Sequence, residues 1–300
     1  MSADAAAGRN ARNLAGFVLI ALIWGSTWLV IKDQISVVPA AWSVTWRFTL
    51  AAAAMFALAK WRGEPLLLGR AATRHALLFG LAQFSINFQF VYASEHYLTS
   101  GLVAVFFALL LVPNALFARL FLGERFSARF ILGSLVAIAG IGLLLLHEYR
   151  EAPAGIDVVT GVLLVSGAVL CASVGNVLQG TRMARSQPMA TMLAWGMAIG
   201  ALGDAAYAYA LHGAPVLDPR PEYLMGIAYL ALAGTVLTFP IYTALIRDWG
   251  AGKAAYNGVA VPVVAMALST LFEGFRWTGL AIGGAVLAMA GLLIALSGRK

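Results

Sequence analysis

The sequence has little of what a soluble enzyme is made from. Charged residues are 11% of its 300 positions and hydrophobic residues 61%, with a mean hydropathy of +0.85. That balance cannot cover a water-soluble surface, so a soluble globular protein is excluded. There is one cysteine, Cys171, so no intrachain disulfide can form. The four histidines, His75, His96, His147 and His212, stand at the ends of apolar runs, and no H-E-x-x-H occurs. No metal and no other cofactor is therefore expected, and an intramembrane enzyme lacks its nucleophile, base or metal set. Strict apolar–polar alternation is also missing, which excludes a transmembrane barrel.

What is there is oil in long runs. Ten apolar segments can be read at 14–31, 41–59, 76–93, 99–118, 130–146, 158–181, 189–211, 224–245, 254–272 and 278–296. Each suffices to cross a hydrocarbon core of ~30 Å as a helix. The fold class expected is an all-α integral membrane protein of ten transmembrane helices. The net charge of +7 does not indicate nucleic acid, because the Lys and Arg residues alternate between loops. Fifteen fall on one side and four on the other, with Arg47 left inside a span. This is the positive-inside bias, and it predicts both termini in the cytoplasm. Arg9 and Arg12 resemble a signal-peptide start, but the following run carries Trp24 and Trp28 and no A-x-A exit, so an anchor is expected.

The chain repeats itself. Pro39 and Pro188, Pro113 and Pro262, and Glu124 and Glu273 each stand 149 residues apart in a sequence with ten prolines. The organisation expected is a cytoplasmic tail at 1–13, a five-helix unit at 14–147 and a second unit at 158–297. Five spans are an odd number, so the second unit must be inverted relative to the first. Inverted repeats are an architecture of secondary transporters, with the substrate site where the halves meet.

Polar groups inside spans must face the bundle interior or a wet cavity. In the third span Gln83 and Asn87 share a helical face beside a stripe of Phe84, Phe88 and Tyr92, an arrangement suited to a ligand with a polar head and flat apolar body. Ser173, Asn176 and Gln179 recur at three-residue steps in the sixth span. Thr235, Thr238 and Tyr242 surround Pro240 in the eighth, and Asn257 precedes Pro262 in the ninth. Pro113, Pro240 and Pro262 each remove a backbone donor, free a carbonyl one turn back and offer a hinge. The acids lie at span ends or in loops, apart from Asp204. Arg47 is shallow in its span and is expected to snorkel or pair outward. Without a midplane acid, facilitated rather than proton-coupled transport is expected.

Two stretches, "LIWGSTWLVIK" at the first span and "LFLGERFS" leading into the Gly-rich "GSLVAIAGIGLLLL", resemble the EamA-type branch of the drug/metabolite transporter superfamily. Pro39 followed by Arg47 fits the same pattern. Within that branch the chain is most similar to bacterial exporters of aromatic amino acids. The second copy, "LFEGFRW", reverses the Gly–Glu order of the first. The resemblance implies a basket-like bundle in the inner membrane, its cavity lined by spans 1, 3, 4, 6, 8 and 9, with spans 5 and 10 closing the ends. It implies alternating-access export of a small-molecule substrate, an aromatic or hydrophobic amino acid, by a monomer in contact with membrane lipid. The substrate-binding residues expected are Gln83, Asn87, Tyr92, Ser173, Asn176, Thr238, Tyr242 and Asn257. The alternative cargo is another small metabolite or drug, such as a neutral amino acid, purine or sugar, with proton coupling.

Overall fold

The computed structural model describes residues 3–36, 38–122, 127–151, 156–249 and 256–297, with side chains from residue 11 onward apart from those at 118, 122, 243 and 246–249. Glu124 and Arg125 of the "LFLGERFS" stretch lie outside the described residues. The described residues contain no strand. Ten principal helices follow in order: α1 Ala3–Gln34, α2 Ala40–Trp61, α3 Arg70–Ser94, α4 Ser100–Phe121, α5 Ala128–Glu151, α6 Val158–Gly180, α7 Met189–His212, α8 Pro221–Tyr242, α9 Asn257–Phe272 and α10 Gly279–Ser297. All but the 16-residue α9 are long and apolar enough to cross a membrane. Residues 254 and 255, expected to begin the ninth span, lie outside the described residues.

The duplication is visible in the backbone. Pro39 and Pro188 both occupy the N-cap of their helices, at φ −50° and −58° and ψ 127° and 129°. The ring fixes φ and removes a donor the helix start would leave unused, so both copies begin this helix alike. In α3 the α-helical ladder gives way to a π-helical stretch at Leu81–Ile86, and in α8 to another at Tyr229–Leu237. A shift of 149 residues carries one onto the other.

Pairings follow from this symmetry. α2 lies along α7, and α5 along α10, so each pair joins equivalent helices of the two halves. α1 packs on α8 and α9, as its counterpart α6 packs on α3 and α4. Lipid supplies no hydrophobic drive between helices, so contact depends on close fit. In α5 and α10 glycine makes that fit: a Cβ on Gly133 would stand 2.2 Å from the Ala295 nitrogen, and one on Gly140 2.2 Å from the Ala288 nitrogen. Gly274, at φ +71°, occupies the left-handed region as the chain leaves α9, which accounts for a Glu–Gly order at the second copy.

At the end of the bundle away from the termini, hydrogen bonds draw six helices together. Lys32 Nζ at the end of α1 donates to the carbonyls of Glu95 and Leu98. Glu273, after α9, accepts from the backbone N–H and hydroxyl of Ser100. Glu148 of α5 accepts from the Thr99 N–H at 3.2 Å, and His147 Nδ1 meets the Thr278 hydroxyl at 3.0 Å before α10. Two carboxylates thus meet the N–H groups at the start of α4, where the helix dipole favours negative charge.

Candidate functional site

Between the halves lies a cavity of about 440 Å³, within the range of small-molecule sites. Its wall comes from α1, α3, α4, α6, α8 and α9, as the resemblance implied, and also from Arg47 and Phe48 of α2 and Leu292 and Leu296 of α10. Arg47, Phe48 and Val91 are buried, toward the end away from the termini; Asn176 and Gly258, toward the terminal end, are exposed.

Aromatic rings form much of this wall. Trp24 meets Tyr242 at 5.3 Å between centroids and Phe239 at 6.2 Å, while Trp28 meets Phe107 at 4.9 Å. The Trp24 indole N–H is satisfied, donating to the Gly234 carbonyl and the Thr238 hydroxyl. The Trp28 N–H has no partner. Phe84 and Phe88 of α3 pack against Phe48 at 5.2 and 4.8 Å, and both reach the cavity.

The amides supply direction. Asn87 Nδ2 donates to the Gln83 carbonyl at 3.1 Å, and Asn257 Nδ2 to the Phe17 carbonyl at 3.2 Å. Because each amine end meets an acceptor, each Oδ1 is the end left over, and neither has a donor. Gln83 Oε1 is likewise without a partner. Asn176 Nδ2 reaches Asn114 Oδ1 at 3.4 Å, joining α6 to α4 at the rim.

Of the eight substrate-binding residues expected from the sequence, the cavity brings together Gln83, Asn87, Asn176, Tyr242 and Asn257. Tyr92, Ser173 and Thr238 are fully buried behind its wall. The Tyr92 hydroxyl donates to Gln34 Oε1 at 3.3 Å, and that of Thr238 to the Gly234 carbonyl at 2.9 Å. Pro262 lines the cavity, whereas Pro113 and Pro240 do not. The carbonyl one turn before Pro113 is not left free, because Leu109 O accepts from the Val112 N–H at 2.8 Å.

One charged residue differs from expectation, and a second lies behind the wall. Arg47 neither snorkels nor pairs outward: it is 4% exposed and stands in the cavity wall, over the Phe88 ring at 4.5 Å and the Phe48 ring at 5.2 Å. Its Nε and Nη1 have no hydrogen-bond partner. Asp204 is fully buried and accepts from Gln89 Nε2 at 2.9 Å, outside the cavity wall. Sequence reasoning missed Arg47, the tryptophans and Asn114. Trp24 and Trp28, four residues apart, carried a signal of one helical face; Arg47 carried the signal of a charge inside a span, but its shallow depth pointed outward, and depth along a helix does not tell which way a side chain points. No group of His, Cys, Asp and Glu among the described residues is arranged to hold a metal ion.

Two inverted five-helix halves enclosing an aromatic, amide-bearing cavity define a membrane transporter of small molecules, not an enzyme. The chain belongs to the EamA-like transporter family, whose model matches residues 13–146 and 159–297. It is 29% identical over 293 residues to a protein of Salmonella typhimurium named "Probable amino-acid metabolite efflux pump", with 94% of each chain covered. It is 28% identical over 298 residues to the Escherichia coli protein of the same name, again with 94% of each chain covered. A "Probable biotin transporter" of Pseudomonas aeruginosa is 28% identical over 292 residues, covering 94% of this chain and 97% of that one. A solved crystal structure shares the fold with a TM-score of 0.67 at 22% identity, covering 97% of this chain and 98% of the other. The protein is a multi-pass membrane transporter of small metabolites.

Proposed function

We propose that this transporter exports amino acids, aromatic or hydrophobic ones in particular, across the inner membrane, with both termini in the cytoplasm. The observation that carries the reading is the pairing of aromatic walls with three amide oxygens that lack donors: Gln83 Oε1, Asn87 Oδ1 and Asn257 Oδ1. Such oxygens suit an ammonium group, and the rings suit a flat apolar body. Asn176 and Tyr242 complete the cargo site toward the terminal end, and Pro113, Pro240 and Pro262 act as hinges between access states. The relatives named as amino-acid metabolite efflux pumps support the same cargo class.

Transport is facilitated, by alternating access. The cavity wall contains no Asp or Glu among the described residues, and Asp204 lies behind it. Counterflow of labelled tryptophan, phenylalanine, threonine and a nucleoside through reconstituted protein tests the cargo. Phenylalanine or tryptophan should exchange fastest, and Asn87→Ala and Asn257→Ala should each weaken its apparent affinity by about threefold to tenfold. If both variants leave exchange of the best substrate unchanged, the site assignment is wrong. An imposed pH gradient should not drive accumulation above equilibrium; accumulation that collapses in Asp204→Asn would overturn facilitated transport.

The second reading is another small metabolite, which the biotin-transporter relative favours. Rapid nucleoside exchange beside slow amino-acid exchange would select for it.

A further inference from the structure

The cavity holds a permanent positive charge with nothing set against it. Arg47 lies seven residues into α2, about 10 Å along the helix from its start. A guanidinium stays protonated in proteins, so it cannot relieve its burial by losing a proton. The Phe88 and Phe48 faces offset part of the cost through cation–π attraction, which asks nothing of the N–H groups. Nε and Nη1 remain without acceptors at 4% exposure.

The groups around it do not supply a counter-charge. Asp204, on the neighbouring α7, gives Oδ1 to Gln89, and among the described residues no carboxylate forms an ion pair with Arg47. The Tyr92 hydroxyl lies within hydrogen-bonding reach of Arg47 and itself donates to Gln34, but it is no carboxylate. An uncompensated charge inside a membrane protein is expensive, and such residues mark substrate pathways. The unpartnered polar atoms of the wall residues, all buried, also divide by kind: Arg47 Nε and Nη1 and the Trp28 N–H are donors, while Gln83 Oε1, Asn87 Oδ1 and Asn257 Oδ1 are acceptors.

We infer that Arg47 is the carboxylate-binding residue of the cavity, so that the cargo is a small molecule bearing a carboxylate beside an apolar or aromatic body. This rests on the proposed reading of the cavity as the cargo site and narrows its chemistry. A carboxylate on Arg47 neutralises the charge, takes up its free donors and leaves the apolar body against Phe88 and Phe107. The amide oxygens remain for a second polar group, the ammonium in an amino acid.

The test separates charge recognition from shape. Full-length protein in liposomes is loaded with labelled L-phenylalanine, and exchange is inhibited with 3-phenylpropanoate, its near-isosteric amide 3-phenylpropanamide, and phenethylamine. The wild type should prefer the carboxylate over the amide by about tenfold or more. Arg47→Gln should bring that ratio close to one while keeping the amide's affinity, and Arg47→Lys should retain part of the preference. Equal inhibition by carboxylate and amide in the wild type, or an equal loss for both in Arg47→Gln, would overturn the proposal. Should Arg47→Gln fail to fold, Arg47→Lys decides: a carboxylate-to-amide ratio unchanged from wild type is then the refuting result, and a reduced one sustains the proposal. If no amino acid exchanges at all, the amino-acid reading fails separately, and the same ratio is read with direct binding of the two phenylpropanoid probes.

Discussion

At the scale of single residues, the polar side chains of this protein separate into those that are satisfied and those that wait. Thr238, Trp24 and Tyr92 have partners within the bundle and hold helices in place. Asn87 and Asn257 are satisfied at one end only, and that asymmetry makes them candidates for cargo. Asp204 accepts from Gln89 through Oδ1 while its Oδ2 has no partner, but it lies outside the cavity wall. Replacing it by Asn preserves an acceptor for Gln89, so folded yield and exchange rate should stay near wild type. Replacing it by Leu strands the half-buried Gln89 amide and should cost about 1 kcal/mol. Thermal unfolding in detergent, with exchange normalised to folded protein, checks both variants.

At the scale of elements, each half supplies one copy of two devices: the glycines that α5 and α10 bring to their shared contact, and the π-helical stretches of α3 and α8. The first is a close backbone approach with no space for a side chain. Gly140→Val should therefore part α5 from α10 and cost more than about 2 kcal/mol, seen as lost folded protein in detergent. Gly142→Ala, where a Cβ meets nothing within 4 Å, should leave yield unchanged. The π-helical stretches lie where the cavity is lined, with Gln83 and Phe84 in one and Gly234 and Thr235 in the other. An extra residue in a turn redirects the side chains that follow it, and such turns are frequent at functional sites.

At the scale of the whole molecule, the bundle is tied shut at the end away from the termini. Glu95 is fully buried there, just beyond α3, and its carboxyl oxygens have no partner. Burial pushes its carboxyl well above the usual carboxylate range; the Lys32 charge opposes this, and the Glu273 charge adds to it. The closed arrangement therefore binds this proton more tightly than one in which Glu95 meets water. Its contribution is complete at low pH and is lost as pH rises through the raised folded value. Thermal stability of the wild type should fall as pH is raised out of the ordinary carboxylate range, and Glu95→Gln should flatten that dependence. A profile identical in both proteins would remove Glu95 from the closure.

Composition, run length and the 149-residue register determined a ten-helix, twice-repeated membrane protein, because burial in lipid leaves the backbone few choices and an odd number of spans per half compels inversion. The amide pair on α3 was legible for the same reason: spacing along a helix sets which residues share a face. Rotation about the helix axis is different, since it depends on which neighbours pack, and neighbours come from the other half of the chain. Only the tertiary structure could turn Arg47 toward the cavity, set Tyr92, Ser173 and Thr238 behind its wall, and assemble Lys32, Glu95 and Glu273 from helices far apart in sequence.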